Sequence, residues 1–213
     1  MKLKVCEIFK SIQGESTYTG APFHFIRLSG CNHRCCYCDT RYAYEEGRMM
    51  TIDSIVEQVD KDATRQVWIT GGEPLLQENL SPLIEELLTR GMDVFVETNG
   101  SLHIGHLPKA ASIIMDLKSP GSGHEKDNRL ENISLLRKKD QVKMILCDQE
   151  DYKWAREIIA FYNLHDRCPV ILQPANQILD RAILAKWMLK DDLPARLGMQ
   201  LHKIIWPDKE RGY

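Results

Sequence analysis

The sequence predicts an α/β fold organised on a sheet of six mostly parallel strands. Three observations predict it. Six short, largely apolar runs recur along the chain, amphipathic stretches of helical period separate most of them, and a polar or glycine-rich motif directly follows five of the six. Short runs that are apolar nearly throughout suit strands buried on both faces. Strand, helix and strand in alternation imply right-handed crossovers and a parallel sheet. Periodicity alone leaves two architectures open, an open sheet and part of a (β/α) barrel.

The expected strands are "FHFIRLS" (23–29), "QVWIT" (66–70), "DVFVE" (93–97), "SIIMDLK" (112–118), "QVKMIL" (141–146) and "PVILQ" (169–173). A first helix is expected from Thr51 through Val59. In "NLSPLIEELLTRG" the residues Leu80, Leu83, Ile84, Leu87 and Leu88 share one helical face, and Gly91 is placed to end the helix. Trp154, Ala155, Ile158, Ile159 and Tyr162 do the same in "DQEDYKWAREIIAFYN", and "QILDRAILAKWMLKDD" forms a further helix. The link over 99–111 is short and weakly helical, so one crossover is reduced. The first two dozen residues and the tail after about 190 fall outside the repeat. With no internal repeat, linker or low-complexity tract, residues 1–213 are expected to form one domain.

Composition narrows the function. A net charge of −2 with both signs interspersed gives no nucleic-acid or membrane-surface footprint. The opening segment lacks the apolar run of a signal peptide, and no stretch is long enough to cross a bilayer, so a cytoplasmic protein is expected. That compartment keeps thiols reduced. Four of the seven cysteines nevertheless crowd into "CNHRCCYCDT" (31–40), leaving Cys6, Cys147 and Cys168 elsewhere. Metal binding explains such crowding better than disulfides. Cys31, Cys35 and Cys38 have easy spacing for one loop, whereas Cys36 is adjacent to a ligand and would point away. A closed zinc site normally takes four ligands from two knuckles. Three thiolates on one loop suit a [4Fe–4S] cluster with one iron left open to a small molecule. The motifs after the other strands, "TGGEP" (70–74), "ETNG" (97–100), "KSPG" (118–121) and "QPAN" (173–176), lie with this loop at the carboxyl ends of parallel strands, where such sheets bind ligands.

The Cys31-x3-Cys35-x2-Cys38 spacing, Tyr37 before the last cysteine and the later "GGEP" together resemble the radical S-adenosylmethionine (SAM) superfamily. The resemblance implies that three cysteines hold the cluster, that SAM chelates the fourth iron, and that electron transfer cleaves SAM to a 5′-deoxyadenosyl radical. Within it, "EIFKSIQGESTYTGAPFHFIRLSGC", "CDT", "DLKSPGSG", "ILQP" and "QLHKIIW" resemble the family of 7-carboxy-7-deazaguanine synthases, from about Glu7 to the C-terminal region. That family implies a partial, modified (β/α) barrel with a reduced helix complement, usually homodimeric. It implies a magnesium-assisted lyase that converts 6-carboxy-5,6,7,8-tetrahydropterin to 7-carboxy-7-deazaguanine in queuosine and 7-deazapurine biosynthesis, expelling ammonia and recycling SAM. It also implies an electron donor of the flavodoxin or ferredoxin type.

Site residues follow from the resemblance and from residue chemistry. Ile12, Gln13 and Gly14 offer backbone groups to the pterin and Glu15 a carboxylate to its N–H donors, unless this loop is only a strand-to-strand turn. Arg27, on an apolar strand, needs an anion. The substrate carboxylate suits its planar fork, and an internal Asp or Glu is the alternative. Thr40 is the expected magnesium ligand, or else half of a capping pair with Asp39. Thr70 is expected to touch substrate. Tyr37, Gly72 and Glu73, with Glu97 and Asn99, are placed on SAM. So are Lys118 and Ser119, with Ser119 favoured, and the adenine-side loop Gln173, Pro174, Ala175 and Asn176. His202 is the one catalytic candidate, though a lone histidine near an apolar segment is more often structural. The tail "WPDKERGY" is longer than expected for a terminus that folds over the site, which puts a contact from Tyr213 in doubt. Two rivals remain: an activase that abstracts a glycyl hydrogen from a partner protein, and a zinc-stabilised binding module.

Overall fold

The protein was studied as a computed structural model, which describes residues 1–212. The six expected strands all form, in chain order and parallel: β2 (Pro22–Leu28), β4 (Gln66–Gly71), β5 (Asp93–Thr98), β6 (Ser112–Asp116), β7 (Gln141–Leu146) and β8 (Val170–Pro174). Three more strands extend the sheet. β1 (Lys2–Ile12) runs antiparallel to β2 and to β3 (Arg48–Thr51), and the short β9 (Arg196–Leu197) adds parallel to β8. The order is β3-β1-β2-β4-β5-β6-β7-β8-β9, so the sheet is open and does not close into a barrel.

Neither flank therefore stands outside the sheet as the sequence suggested. β1 alternates too weakly to read as a strand, because several of its side chains are only half buried. β9 is two residues long and leaves no periodicity to find.

The expected helices α1 (Ile52–Val59), α2 (Leu80–Thr89), α3 (Gln149–Phe161) and α5 (Arg181–Lys190) form, with short α4 (Leu164–Arg167) and α6 (Leu201–Ile205). Thr51, Asp148 and Asp180 cap three of them with side-chain oxygens on first-turn amides. The 99–111 link carries no helix, as expected. The β6–β7 crossover also lacks an α-helix and holds only 3₁₀ turns.

The two faces of the sheet differ. Ile26, Leu28, Val67, Ile69, Val94, Val96, Met115, Val142 and Met144 point to the helices and build the main core. On the opposite face Phe23, Phe25, Trp68, Phe95 and Ile114 form a separate apolar layer, with Phe9 and Tyr18 packed on it. Side chains two residues apart share a face. One step further along the same rows come Arg27, Thr70, Glu97 and Asp116, and neighbouring strands add Lys143 and Gln173. An aromatic floor thus gives way to a polar layer at the carboxyl ends, and this change opens a cavity.

Candidate active site

The thiol loop lies at one side of that cavity. Gly30, in the left-handed region at φ +94°, turns the chain out of β2, and its amide donates to the Ala43 carbonyl at 2.8 Å. Cys31, Cys35 and Cys38 line the cavity. Cys36 turns away, its thiol donating to the Gly121 carbonyl at 2.8 Å. The loop is tied to the turns after β6 by Cys36 N to Ser122 O (3.3 Å) and Arg34 N to His124 Nε2 (2.8 Å). Burial raises the Cys31 thiol and pushes Cys35 up to about 11, so a bound metal must displace protons to recruit them.

All seven cysteines are reduced. Among the described residues, the one trio of potential ligand atoms lying within 4.8 Å of one another is His33, His124 and Asp127. Cys31, Cys35 and Cys38 do not all meet that spacing. Thiolates sharing a single zinc sit about 2.3 Å from the ion and hence within roughly 4 Å of each other. The loop thus fits a multi-iron cluster better than the zinc of the binding-module rival.

Polar atoms around the cavity fit a second, small-molecule ligand. Tyr37 Oη, Asp116 Oδ1, Gln173 Oε1 and Gln13 Nε2 are buried with no hydrogen-bond partner. Such groups are costly unless a ligand satisfies them. Gly72, Asn99, Lys118, Pro174, Ala175 and Asn176 line the same cavity. Lys118 Nζ donates to Asp116 Oδ2 at 2.9 Å and lies 5.8 Å above the Tyr37 ring.

The side chains of two residues expected at SAM, Glu73 through its backbone and Ser119, turn away from the cavity. The Glu73 carboxylate is fully buried and accepts from Thr98 Oγ1 (2.8 Å), Asn99 N (2.6 Å) and Leu75 N (3.0 Å), so its side chain knits the ends of β4 and β5 together. Ser119 is also fully buried. Its hydroxyl lies 2.8 Å from the Ile145 carbonyl and 2.9 Å from Asp151 Oδ2, away from the cavity, because Asp151 at the start of α3 gathers the amides of Gly121 and Cys147. Lys118, the less favoured of that pair, is the one in the cavity.

Past the end of β1, Gln13, Gly14 and Glu15 line the same cavity together with Ile12, Arg27, Thr40 and Thr70. The loop is a strand-to-strand connection, with Gln13 N bonded to Ala21 O at 2.8 Å, and it also faces the cavity. Arg27 does have an internal anion. Glu7, directly opposite on β1, takes Arg27 Nε at 2.7 Å and the Tyr42 hydroxyl at 2.9 Å. Thr40 Oγ1 donates to Asp39 Oδ1 at 2.9 Å. Burial would raise the Asp39 carboxyl, but Lys203 at 2.5 Å holds it down at about 2. Glu97 groups with these residues rather than with the thiol loop: it accepts from Thr70 Oγ1 (3.0 Å), Trp68 Nε1 (3.1 Å) and Lys143.

His202 sits on the short helix α6, against the end of β1. Gly14 makes room for it, since a Cβ there would stand 2.0 Å from His202 Nδ1. Burial lowers its affinity for a proton. Glu210, Arg211 and Gly212 of the tail also reach the cavity, while Tyr213 lies outside the described residues.

Sequence reasoning missed Asp116, Lys143, Tyr42, Gln200 and Lys203. Asp116 and Lys143 carried the signal that revealed Arg27, a charge inside an otherwise apolar strand. The others left none, because long-range packing alone brings them to the site.

An open α/β sheet whose first crossover loop presents three thiols beside a ligand cavity defines a radical SAM core. The model of the Radical SAM superfamily matches residues 25–146. Among curated proteins, the chain is 40% identical over 225 residues to the 7-carboxy-7-deazaguanine synthase of Koribacter versatilis, covering 99% of this chain and all of that one. It is 41% identical to that of Chlorobaculum tepidum over 213 residues, 99% of this chain and 97% of the relative. In fold it is similar to the crystal structure of QueE from Escherichia coli, with a TM-score of 0.78, 22% identity and 95% of each chain covered. The chain belongs to the 7-carboxy-7-deazaguanine synthase family of the radical SAM superfamily.

Proposed function

We propose that this protein is a radical SAM lyase that converts 6-carboxy-5,6,7,8-tetrahydropterin to 7-carboxy-7-deazaguanine, with loss of ammonia, in queuosine and 7-deazapurine biosynthesis. The observation that carries this reading is one shared cavity, lined by the three loop thiols, by Arg27 and by a hydrogen-bonding loop. Cys31, Cys35 and Cys38 would hold the [4Fe–4S] cluster, and Tyr37, Gly72, Asn99, Lys118 and the 173–176 loop would hold SAM. When bound, the two together supply the radical that removes a hydrogen from the substrate.

The chain's own part is binding, orientation and charge. Arg27 meets the substrate carboxylate with the part of its fork that Glu7 leaves unused. Gln13 and Glu15 face the donor- and acceptor-rich pterin edge. Thr40 offers magnesium one oxygen, with substrate and water completing the shell, so that this ion binds well only alongside substrate. Lys203 occupies Asp39 and keeps that carboxylate from being a free ligand. His202, pushed toward its neutral form by burial, is suited to relay a proton to the leaving nitrogen at the ammonia-loss step, accepting one on the other ring nitrogen.

A one-electron donor of the flavodoxin or ferredoxin type, a homodimeric assembly and a cytoplasmic location belong to the same reading. No helix among the described residues is long and apolar enough to cross a membrane.

The decisive experiment is anaerobic turnover of iron-loaded protein with SAM, magnesium, reductant and the pterin, read by mass spectrometry. The deazapurine should appear in excess over SAM consumed. Deoxyadenosine without that product would reject the substrate and favour the glycyl-radical activase.

A further inference from the structure

Within the polar layer of the cavity, Lys143 of β7 is 4% exposed and surrounded by carboxylates from three other elements. Its ammonium donates to Glu15 Oε2 at 2.7 Å, donates to Glu97 Oε1, and lies 3.9 Å from Asp116 Oδ2. Lys118 shares Asp116 at 2.9 Å. Two ammonium groups thus face three carboxylates. The surplus negative charge is buried, and one of its oxygens, Asp116 Oδ1, has no partner. A buried surplus of acceptors is stable only if donors arrive from outside.

We propose that Lys143 is a positioning residue for substrate: it clamps Glu15 and Glu97 into one acceptor surface that selects a heterocycle edge carrying several N–H donors. The inference deepens the pterin reading and rests on it. A pterin has such an edge in its 2-amino group and adjacent ring N–H. The same ring system with a 2-oxo group, a lumazine, presents an acceptor there and would face the carboxylates unfavourably.

Lys143 is no acid or base at ordinary pH. Burial opposes its charge, but Glu15, Glu97 and Asp116 outweigh this and raise its proton affinity well above the usual lysine range. Its effect on Glu97 is the converse. Burial alone would raise that carboxyl, and Lys143 brings it down to about 2. Lys143 from β7, Glu15 from the β1–β2 connection, Asp116 and Lys118 from β6 and its end, and His202 from α6 are the charged and titratable groups around this cluster. Gln200 of the tail completes it, donating to Glu15 Oε1 at 2.9 Å.

The test measures binding, not turnover. The fluorescent oxidised analogue 6-carboxypterin and its 2-oxo counterpart 6-carboxylumazine are titrated, without reductant, into the cluster-loaded protein. Wild type should prefer the pterin and vary little in affinity between about pH 6 and pH 8. Lys143→Met should weaken pterin binding by about tenfold or more at the upper pH, and by a further tenfold or so at the lower, as Glu97 takes up a proton. Lys143→Arg should restore the flat profile. Should the methionine variant not fold, Glu15→Gln and Glu97→Gln keep the lysine and should each erase the preference for pterin over lumazine. A Lys143→Met profile superimposable on wild type, or an unchanged preference in both glutamine variants, would overturn the inference and leave the pterin reading intact. Failure of wild type to bind 6-carboxypterin at all would instead overturn the substrate reading, and this inference with it.

Discussion

Gly72 approaches Gly30 so closely that a Cβ on it would stand 2.0 Å from the Gly30 carbonyl oxygen and 2.9 Å from Cys31 Cβ. The neighbouring Glu73 amide donates to that same oxygen at 2.7 Å. The end of β4 is therefore the shelf on which the thiol loop rests. Backbone cannot yield as a flexible side chain can, so Gly72→Ala must push the loop away. We expect it to destabilise the protein by about 1–3 kcal/mol and to lower iron incorporation. Thermal melting and iron analysis of the reconstituted variant check both. Normal iron content would show that the loop tolerates the shift.

The cysteines should separate cleanly by substitution. Alanine at Cys31, Cys35 or Cys38 should abolish the brown colour and all SAM cleavage, because each lines the cavity and, among the described residues, no other thiol does. Alanine at Cys36 should retain both, since that thiol only hydrogen-bonds the Gly121 carbonyl. Absorbance and deoxyadenosine formation read the series. SAM cleavage surviving in any of the first three variants would remove that residue from the cluster.

Much of this architecture was legible in the sequence, and the exceptions have physical causes. Fully buried strands leave continuous apolar runs, so β2 and β4 to β8 were visible, as were the thiol loop and Arg27. β1 stayed hidden because it pairs antiparallel on both sides with half-buried side chains. Glu73 and Ser119 were placed on SAM by motif position. Motif position fixes the backbone but not the side-chain direction, and both side chains turn inward to satisfy buried amides or carbonyls. Gln200 and Lys203 reach Glu15 and Asp39 across more than 160 residues of chain, a proximity that no local pattern encodes.

Arg27 and Glu7 form a cross-strand pair at 2.7 Å, yet Arg27 still faces the cavity. Arg27→Ala should raise the KM for the pterin roughly 10- to 100-fold, the scale of a lost charge-assisted hydrogen bond, while the cluster spectrum stays unchanged. Arg27→Lys should not rescue it, because a point charge cannot bond Glu7 and a substrate carboxylate through one planar fork. An unchanged KM in the alanine variant would take Arg27 out of the substrate site.

Glu97 supplies a pH signature of stability. Burial would raise its carboxyl, but Lys143 holds it at about 2, below the unfolded value near 4.3. A carboxylate depressed in this way stabilises the fold fully above its unfolded pKa. The contribution, roughly 2–3 kcal/mol by linkage, is lost as pH falls from about 4 toward 2. Glu97→Gln lacks this dependence. The gap in melting temperature between wild type and Glu97→Gln should therefore narrow steadily on acidification through that window. A gap constant with pH would mean that Glu97 gains no net stability from its ionised pairing.

The C-terminal tail is coupled to the substrate side through Tyr42. Arg211 makes a two-pronged pair with Glu46, at 2.7 and 2.8 Å, and its guanidinium lies 3.8 Å from the Tyr42 ring centroid. Tyr42 in turn donates to Glu7, which holds Arg27. The Arg211 contacts are exposed, and pairs of this kind are weak and weaken further in salt. Contacts this weak should let the tail detach readily, so its hold on the cavity wall is testable. Arg211→Ala should raise the KM by less than about tenfold, the modest scale expected of exposed contacts, with little effect on iron content. It should also speed proteolytic removal of the tail, and high salt should speed removal in wild type but add little in the variant. Equal proteolysis of the two proteins at low salt would show that Arg211 does not hold the tail down.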